Sequence, residues 1–419
     1  MGTSATALHN GVVITEDGVL TGHDVVVEGR LITGVVPSDS VSGRVARVDV
    51  GGGFIAPGLI DVHTHGAVGR SFAERDTEAY DAILRFLASN GITRAQASLP
   101  SAPFGDLESQ LEWVRSYERP ADGAVLHGVH LEGPYLSAED QARGAANPAH
   151  LRTPQPGDAD RLLAYADVLR MVTIAPELPG AVAMIRALAA GGVVVAVGHS
   201  SAEREDFASA VEAGATHITH LWSGMANVLR RSQGERVPGM IELALASDAL
   251  TGEVIADAKH LPPELLTIAR RCLGGSQARL CVVSDSSIGT GMPDGYRYGP
   301  PDRPIEVSGG VAHLVGQGRF AGSTSSMNRM ARVLLRLGWP VHEVVSVMSA
   351  VPAKVLGLAE RKGAVRAGYD ADLAVFDQRF NCTRTMIEGS WVHSPEMASS
   401  QIGPPNADVA LIHNTGELK

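Results

Sequence analysis

Cysteine is scarce in this chain. There are three, Cys272, Cys281 and Cys382, in 419 residues. They lie far apart with no CxxC spacing, which excludes a disulfide framework and a zinc ribbon and makes a reducing cytoplasm the expected compartment. Basic charge is also short. Lys and Arg number 35 against 46 Asp and Glu, a formal net charge of -11. That balance excludes nucleic acid and an anionic membrane surface as main partners. An acidic chain can take a phosphorylated substrate only through a local basic pocket. Apolar runs of membrane length are missing as well. The most apolar window, "GAVAMIRALAAGGVVVAVGHS", contains Arg186 and a glycine pair and changes period midway. It reads as a helix followed by a buried strand. The first residues, "MGTSATALHNGVV", show neither the basic start nor the apolar stretch of a signal peptide. No GxGxxG follows an early strand, and no segment repeats at a fixed period. With 44% hydrophobic and 19% charged residues, the chain can bury one large domain, or a large one and a small one.

Both ends are β-rich. "GVVITEDGVL" and "HDVVVEGRLITGVVP" are β-branched runs broken by Asp-Gly and Glu-Gly turns. "ADLAVFD" and "TRTMIEGSWVHS" have the same texture near the C-terminus. Residues 1–56 and 359–398 are therefore expected to pair into one small β-sandwich. Residues 399–419, polar and proline-containing, read as a loose tail. Between them, 57–358 alternates strand and helix. Strands are expected at 59–65, 92–98, 124–132, 168–176, 192–199, 215–221, 252–257 and 279–285. One helix, "TEAYDAILRFLASNG", starts near Thr77 and stops at Gly91. Eight strands with intervening helices point to a (β/α)8 TIM-like barrel in preference to an open doubly wound sheet. Residues 288–320, rich in glycine, proline and short β-runs, read as a hairpin insertion after the eighth strand.

Chemistry collects at strand ends. In "GLIDVHTHG", strand alternation puts Asp61, His63 and His65 on one face and Ile60, Val62 and Thr64 on the other. Two imidazoles at a barrel's C-terminal mouth make half a metal site. Four further apolar runs close on polar groups: "GVHLEGP" on Glu132, "VVVAVGHS" on His199, "THITHLW" on His220 and "LCVVSDS" on Asp285. A buried polar group without a partner is costly, and a shared cation would partner them all. His130 reads as a core residue and His217 as structural. Arg230 and Arg231 read as solvated loop residues.

The chain resembles the amidohydrolase superfamily and, inside it, the N-acetylglucosamine-6-phosphate deacetylases. The resemblance rests on "PGLIDVHTHG", "HLEGPYLS", "VTIAPE", "VGHSSAE", "RVPG", "IADAKH", "VVSDS", "FAGSTSSM" and "GYDADLAVFD". It implies one divalent metal held by Glu132, His199 and His220, and a second held by His63 and His65 with Glu132 bridging. Zinc is put first, with iron and manganese as alternatives. It implies Asp285 as general acid/base, His260 as a donor near the amide, and a phosphate contact from Arg236. It also implies a small-molecule N-acetyl amino sugar as substrate and a homodimer.

Two places depart from the family pattern. Ala146, in "ARGAANP", stands where a substrate-reaching histidine is usual. Ser223 and Gly224, after Trp222, replace the Asn-Ala pair that helps bind phosphate. The hydrolytic core is intact while the substrate end is altered. Hydrolysis of N-acetylglucosamine 6-phosphate is the first reading, and an amidohydrolase acting on another N-acyl compound is the second. A silent binding protein on the same scaffold is the third; all the polar strand ends it would be free to lose are present.

Overall fold

The computed structural model describes residues 5–225, 227, 229–230, 234–275 and 278–398. Residues 399–419, read above as a tail, lie outside the described residues. Eight parallel strands form the central sheet in chain order: β1 (Leu59–Thr64), β2 (Ile92–Pro100), β3 (Val125–Glu132), β4 (Leu169–Ile174), β5 (Val194–Val197), β6 (His217–Ile218), β7 (Thr251–Ile255) and β8 (Leu280–Val283). The sheet closes on itself just past β1 and β8. Asp285 N–H donates to the His63 carbonyl at 2.9 Å, and His65 N–H to the Ser286 carbonyl at 2.8 Å. The fold is thus a TIM-like barrel.

Every residue of β1 and β8 is buried. Their two-sided burial explains why these strands read as near-continuous apolar runs. Helices cover the outside. Thr77–Ser89 buries Ala79, Tyr80, Ile83, Leu84, Leu87 and Ala88, a 3–4 spacing that makes one apolar stripe. Asp76 caps it by accepting from Glu78 N–H at 3.0 Å. The chain leaves through Gly91 at φ +85°, where an added Cβ would meet the Phe376 ring at 2.7 Å. Among the described residues no helix is long and apolar enough to cross a membrane.

A small two-sheet unit packs beside the barrel. Its six-stranded sheet runs Ser390–His393, Cys382–Ile387, Leu373–Phe376, Phe54–Pro57, Val12–Thr15, Gly18–Leu20, so both ends of the chain contribute. A four-stranded sheet of Leu31–Pro37, His23–Glu28, Thr6–His9 and Ala46–Asp49 faces it. Leu8, Val13, Val25, Ile32, Ile55, Leu373, Val375 and Met386 form the core between them.

The segment after β8 differs from the single hairpin expected. It is a four-stranded antiparallel sheet: Arg297–Tyr298, Ile305–Ser308, Val311–Leu314 and Arg319–Ser323. Closely spaced glycines and prolines produce several turns where one was read. The last strand returns to the barrel, with Ser323 N–H donating to the Asp285 carbonyl at 2.7 Å.

Candidate active site

The C-terminal ends of the strands gather six side chains. His63 and His65 come from β1 and the residue after it, Glu132 ends β3, and His199, His220 and Asp285 follow β5, β6 and β8. Two of these positions are strained. His199 has φ +49° and Asp285 φ +44°, left-handed backbone that costs a non-glycine residue on the order of 1–2 kcal/mol. The strain turns each side chain off its strand and over the barrel mouth.

The six groups meet. His199 Nε2 and His220 Nε2 lie 2.9 and 2.8 Å from Glu132 Oε1. His65 Nε2 is 3.3 Å from Glu132 Oε2 and 3.3 Å from Asp285 Oδ1. His63 Nε2 is 3.1 Å from His65 Nε2 and 3.6 Å from both Glu132 and Asp285. Two sets, His63–His65–Asp285 and His63–Glu132–His220, have ligand atoms close enough to hold one ion each.

Three of the four rings are anchored from behind through Nδ1. His65 Nδ1–H donates to the Ser98 carbonyl at 3.0 Å, and His199 Nδ1–H to the Ala142 carbonyl at 2.7 Å. His63 Nδ1–H donates to Glu253 Oε2 at 3.0 Å. A carbonyl can only accept, so it fixes the proton on Nδ1 and leaves Nε2 as a lone pair aimed at the cluster. Lone pairs facing one another and two carboxylates cannot stand without positive charge between them. Without a cation, protons fill that role. Burial would lower the His65 imidazole, but hydrogen bonds to Asp285 and Glu132 overcome it and carry it up to about 10. Burial likewise opposes the charged form of His220, yet Glu132 raises it to about 9. Burial works against ionised Glu132, but His199 and His220 hold its carboxyl well below the usual range. The donor set fits a divalent cation: neutral imidazoles and carboxylates, with acceptors fixed behind the rings.

Glu253 was missed in the sequence. It is fully buried in the middle of β7. Its Oε2 accepts from His63 Nδ1–H and from His220 N–H, each at 3.0 Å, and its Oε1 accepts from His217 Nε2–H at 2.9 Å. Burial would raise this carboxyl, but the facing His63 and His217 hold it well below the usual range. A glutamate inside an apolar strand was the available signal. His217 is part of this network behind the cluster. His130 lies deeper, with Ser98 Oγ 3.0 Å from its Nδ1 and Thr173 Oγ1 2.8 Å from its Nε2.

The cluster forms the floor of a cavity of about 800 Å³. His260, Ser223 and Gly224 line its wall together with Ala146. Asp257 holds His260, accepting from its Nδ1–H at 2.8 Å and from its backbone N–H at 2.8 Å. Arg236 does not join them. It is exposed on a two-residue strand, Arg236–Val237, and is not part of the cavity wall. The side chain of Arg230 and all of Arg231 lie outside the described residues.

Comparison with known proteins agrees with this architecture. The amidohydrolase family profile matches residues 54–392, and the NagA composite domain matches residues 6–55. The chain is 34% identical over 401 residues to N-acetylglucosamine-6-phosphate deacetylase from Bos taurus, covering 92% of this chain and 95% of the relative. It is 29% identical to N-acetylgalactosamine-6-phosphate deacetylase from Escherichia coli O157:H7, covering 90% and 96%. The structure of N-acetyl-D-glucosamine-6-phosphate deacetylase from Mycobacterium smegmatis, a mutant in complex with N-acetyl-D-glucosamine-6-phosphate, superposes with a TM-score of 0.83. That alignment has 30% identity and covers 94% of this chain and all of that one (100%). A barrel whose strand ends hold imidazoles and carboxylates, a flanking composite domain and these relatives together establish that the chain belongs to the amidohydrolase family.

Proposed function

We propose that the protein hydrolyses the acetamide of N-acetylglucosamine 6-phosphate, giving glucosamine 6-phosphate and acetate. The observation that carries this is the convergence of anchored imidazole Nε2 atoms on Glu132 and Asp285 at the floor of a sugar-sized cavity. Glu132, His199 and His220 would hold one divalent metal, and His63 and His65 a second with Glu132 shared. When bound, such a cation acidifies water and polarises an amide carbonyl. Asp285 takes a proton on its carboxylate as water attacks and returns it to the departing nitrogen, which leaves as a neutral amine. His260, steadied by Asp257, donates from Nε2 in its protonated form to the developing oxyanion. Ser223 and Gly224 shape the wall against which the sugar rests. The chain divides in this proposal into a catalytic barrel at 57–358 and a β-sandwich from 1–56 and 359–398. We further propose zinc as the metal, a cytoplasmic location and a homodimer.

A second reading has its own support. Ala146 lines the cavity with a side chain that cannot hydrogen-bond, and the Escherichia coli relative acts, by its name, on the galactosamine epimer. Losing one polar contact shifts specificity by large factors, so a different N-acyl amino sugar would fit the same machinery. Acetate release from N-acetylglucosamine, N-acetylgalactosamine and their 6-phosphates, measured beside metal content for wild type and Asp285→Asn, separates the readings. The proposal requires fastest turnover of N-acetylglucosamine 6-phosphate and a fall of about 10²–10⁴ in Asp285→Asn with metal retained. Preference for another sugar overturns the substrate, and undiminished turnover in Asp285→Asn overturns the mechanism.

A further inference from the structure

The loop after β3 wraps the ring of His199. Between Glu132 and Pro148 the chain forms neither helix nor strand. The Ala142 carbonyl accepts from His199 Nδ1–H at 2.7 Å. Gly144, at φ +54°, lies so close that an added Cβ would stand 3.0 Å from His199 Cε1. The loop therefore decides whether this imidazole keeps its proton on Nδ1 and its lone pair on Nε2, which lies 2.9 Å from Glu132 Oε1.

The loop is held from two sides. Its first part is bonded to the His199 segment itself: Ser137 N–H donates to the His199 carbonyl at 2.9 Å, and Ser201 Oγ to Glu139 Oε2 at 2.7 Å. The Ala142 and Arg143 amides then donate to the Glu139 carbonyl at 3.0 and 2.9 Å. These bonds shape the turn, and the insertion after β8 fastens it. Arg319 spans Ala142. Its Nη2 lies 2.5 Å from Asp140 Oδ2, on one side of Ala142, and its Nη1 donates to the Gly144 carbonyl at 3.1 Å, on the other. Arg303 Nη2 adds a bond to the Ala145 carbonyl at 2.6 Å. A planar guanidinium holds two acceptors at a fixed spacing, which a point charge cannot do. Both arginines also line the cavity.

We propose that Arg319 is a positioning residue for His199: from the far side of the loop it holds the Ala142 carbonyl against Nδ1, with Arg303 as a second tether. This rests on the reading above in which Glu132, His199 and His220 hold one divalent ion, and it adds the element that fixes one of those ligands. The insertion thereby joins the edge of the cavity to one metal position. His63 and His65 are anchored elsewhere, on Glu253 and the Ser98 carbonyl, so the second position is insulated from the clasp. Asp140 is mostly exposed, and an ion pair of that kind adds little to global stability. Cutting it should loosen the loop without unfolding the chain.

The test uses the full chain, stripped of metal and titrated with zinc against a competing chelator, with circular dichroism to verify the fold. Arg319→Ala should weaken zinc about 10-fold or more at one position and leave the other unchanged, as expected of a group that orients a ligand from behind. Asp140→Ala, which cuts the same grip from the exposed side, should weaken it less, because the bond to Gly144 remains. Arg319→Lys should recover part of the loss, keeping the pair with Asp140 without the fork. Arg297→Ala, which breaks a pair with Glu306 elsewhere in the insertion, should match the wild type. The deciding readout is a double-variant cycle with His199→Ala. If Arg319 acts through His199, Arg319→Ala adds no further loss once the ring is gone. An equal further loss in that background, or a fall at both positions together, would show that Arg319 only supports the fold and would overturn the proposal. Wild-type zinc affinity in a folded Arg319→Ala would overturn it as well. If Arg319→Ala folds poorly, Asp140→Ala in the same cycle decides by the same outcomes. A wild type that takes up no zinc overturns the metal reading and this inference with it; zinc held normally by the wild type and equally by the variants overturns this inference alone.

Discussion

Glu253 offers the most discriminating perturbation. Its two oxygens satisfy three buried donors: His63 Nδ1–H, His217 Nε2–H and the His220 amide. Glu253→Ala would strand all three, at about 1–3 kcal/mol each. The sum, ~3–9 kcal/mol, approaches the whole stability of an ordinary domain, ~5–15 kcal/mol. That variant is expected to fold poorly and would teach little. Glu253→Gln is the informative one. Its single carbonyl must sit where Oε2 does, because two donors point there. Its NH2 then faces His217, whose ring can change tautomer and donate instead to Thr251 Oγ1, its present neighbour. The fold survives, but His63 loses the anion that makes it a basic ligand. Outer carboxylates of this kind are worth about 10–100-fold in metal affinity, or ~1.4–2.8 kcal/mol. Titration of bound metal against a competing chelator, with circular dichroism to verify the fold, measures it. If Glu253→Gln holds both metals as tightly as the wild type while its melting temperature drops, the carboxylate is only a packing group, and the reasoning fails.

Three other outcomes follow from the same geometry. Gly224 has φ +59°, and a Cβ there would meet His199 Nδ1 at 2.5 Å and the Ala142 carbonyl at 2.6 Å. Gly224→Ala should therefore displace His199, costing at least ~1 kcal/mol in backbone strain and lowering metal content and turnover together; wild-type occupancy would refute this. Removing metal should abolish activity. Because His65 and His220 bind protons up to about 10 and 9 when no cation is present, reloading at pH 7.5 should release about two protons into weak buffer, and no release would contradict the proton-filled cluster. His127 is lowered to about 4 by burial and by the charge of Arg94. Its stabilising share is complete above the unfolded value of about 6.5 and is lost as pH falls toward 4. The upper bound is ~3 kcal/mol, less because the ring is only partly buried. The melting temperature of His127→Gln should fall less steeply than that of the wild type over that window.

What could be read in the sequence, and what could not, follows one physical divide. A polar residue that ends an apolar strand announces itself, because nothing nearby in the chain can satisfy it. Glu132, His199, His220 and Asp285 were visible this way, and alternation alone put His63 and His65 on one face. Eight such runs also made the barrel legible, since a parallel sheet buried on both faces has no other cheap way to look. Glu253 broke the same rule in a strand interior and deserved the same inference; looking only at strand ends concealed it. Arg236 is a different case. A four-residue motif marks it, but it lies on an exposed two-residue strand outside the cavity wall of this chain, a placement that local pattern does not encode. Arg303 and Arg319 were hidden for that reason too. Turn residues reveal that the insertion folds into strands, not that its arginines come round to carbonyls of a loop some 150–175 residues earlier. Groups whose partners are a shared cation are therefore legible from burial cost, whereas groups whose partners are a distant backbone carbonyl are not. The substrate end of this cavity is built mainly from the second kind, so its specificity is the part that sequence alone left open.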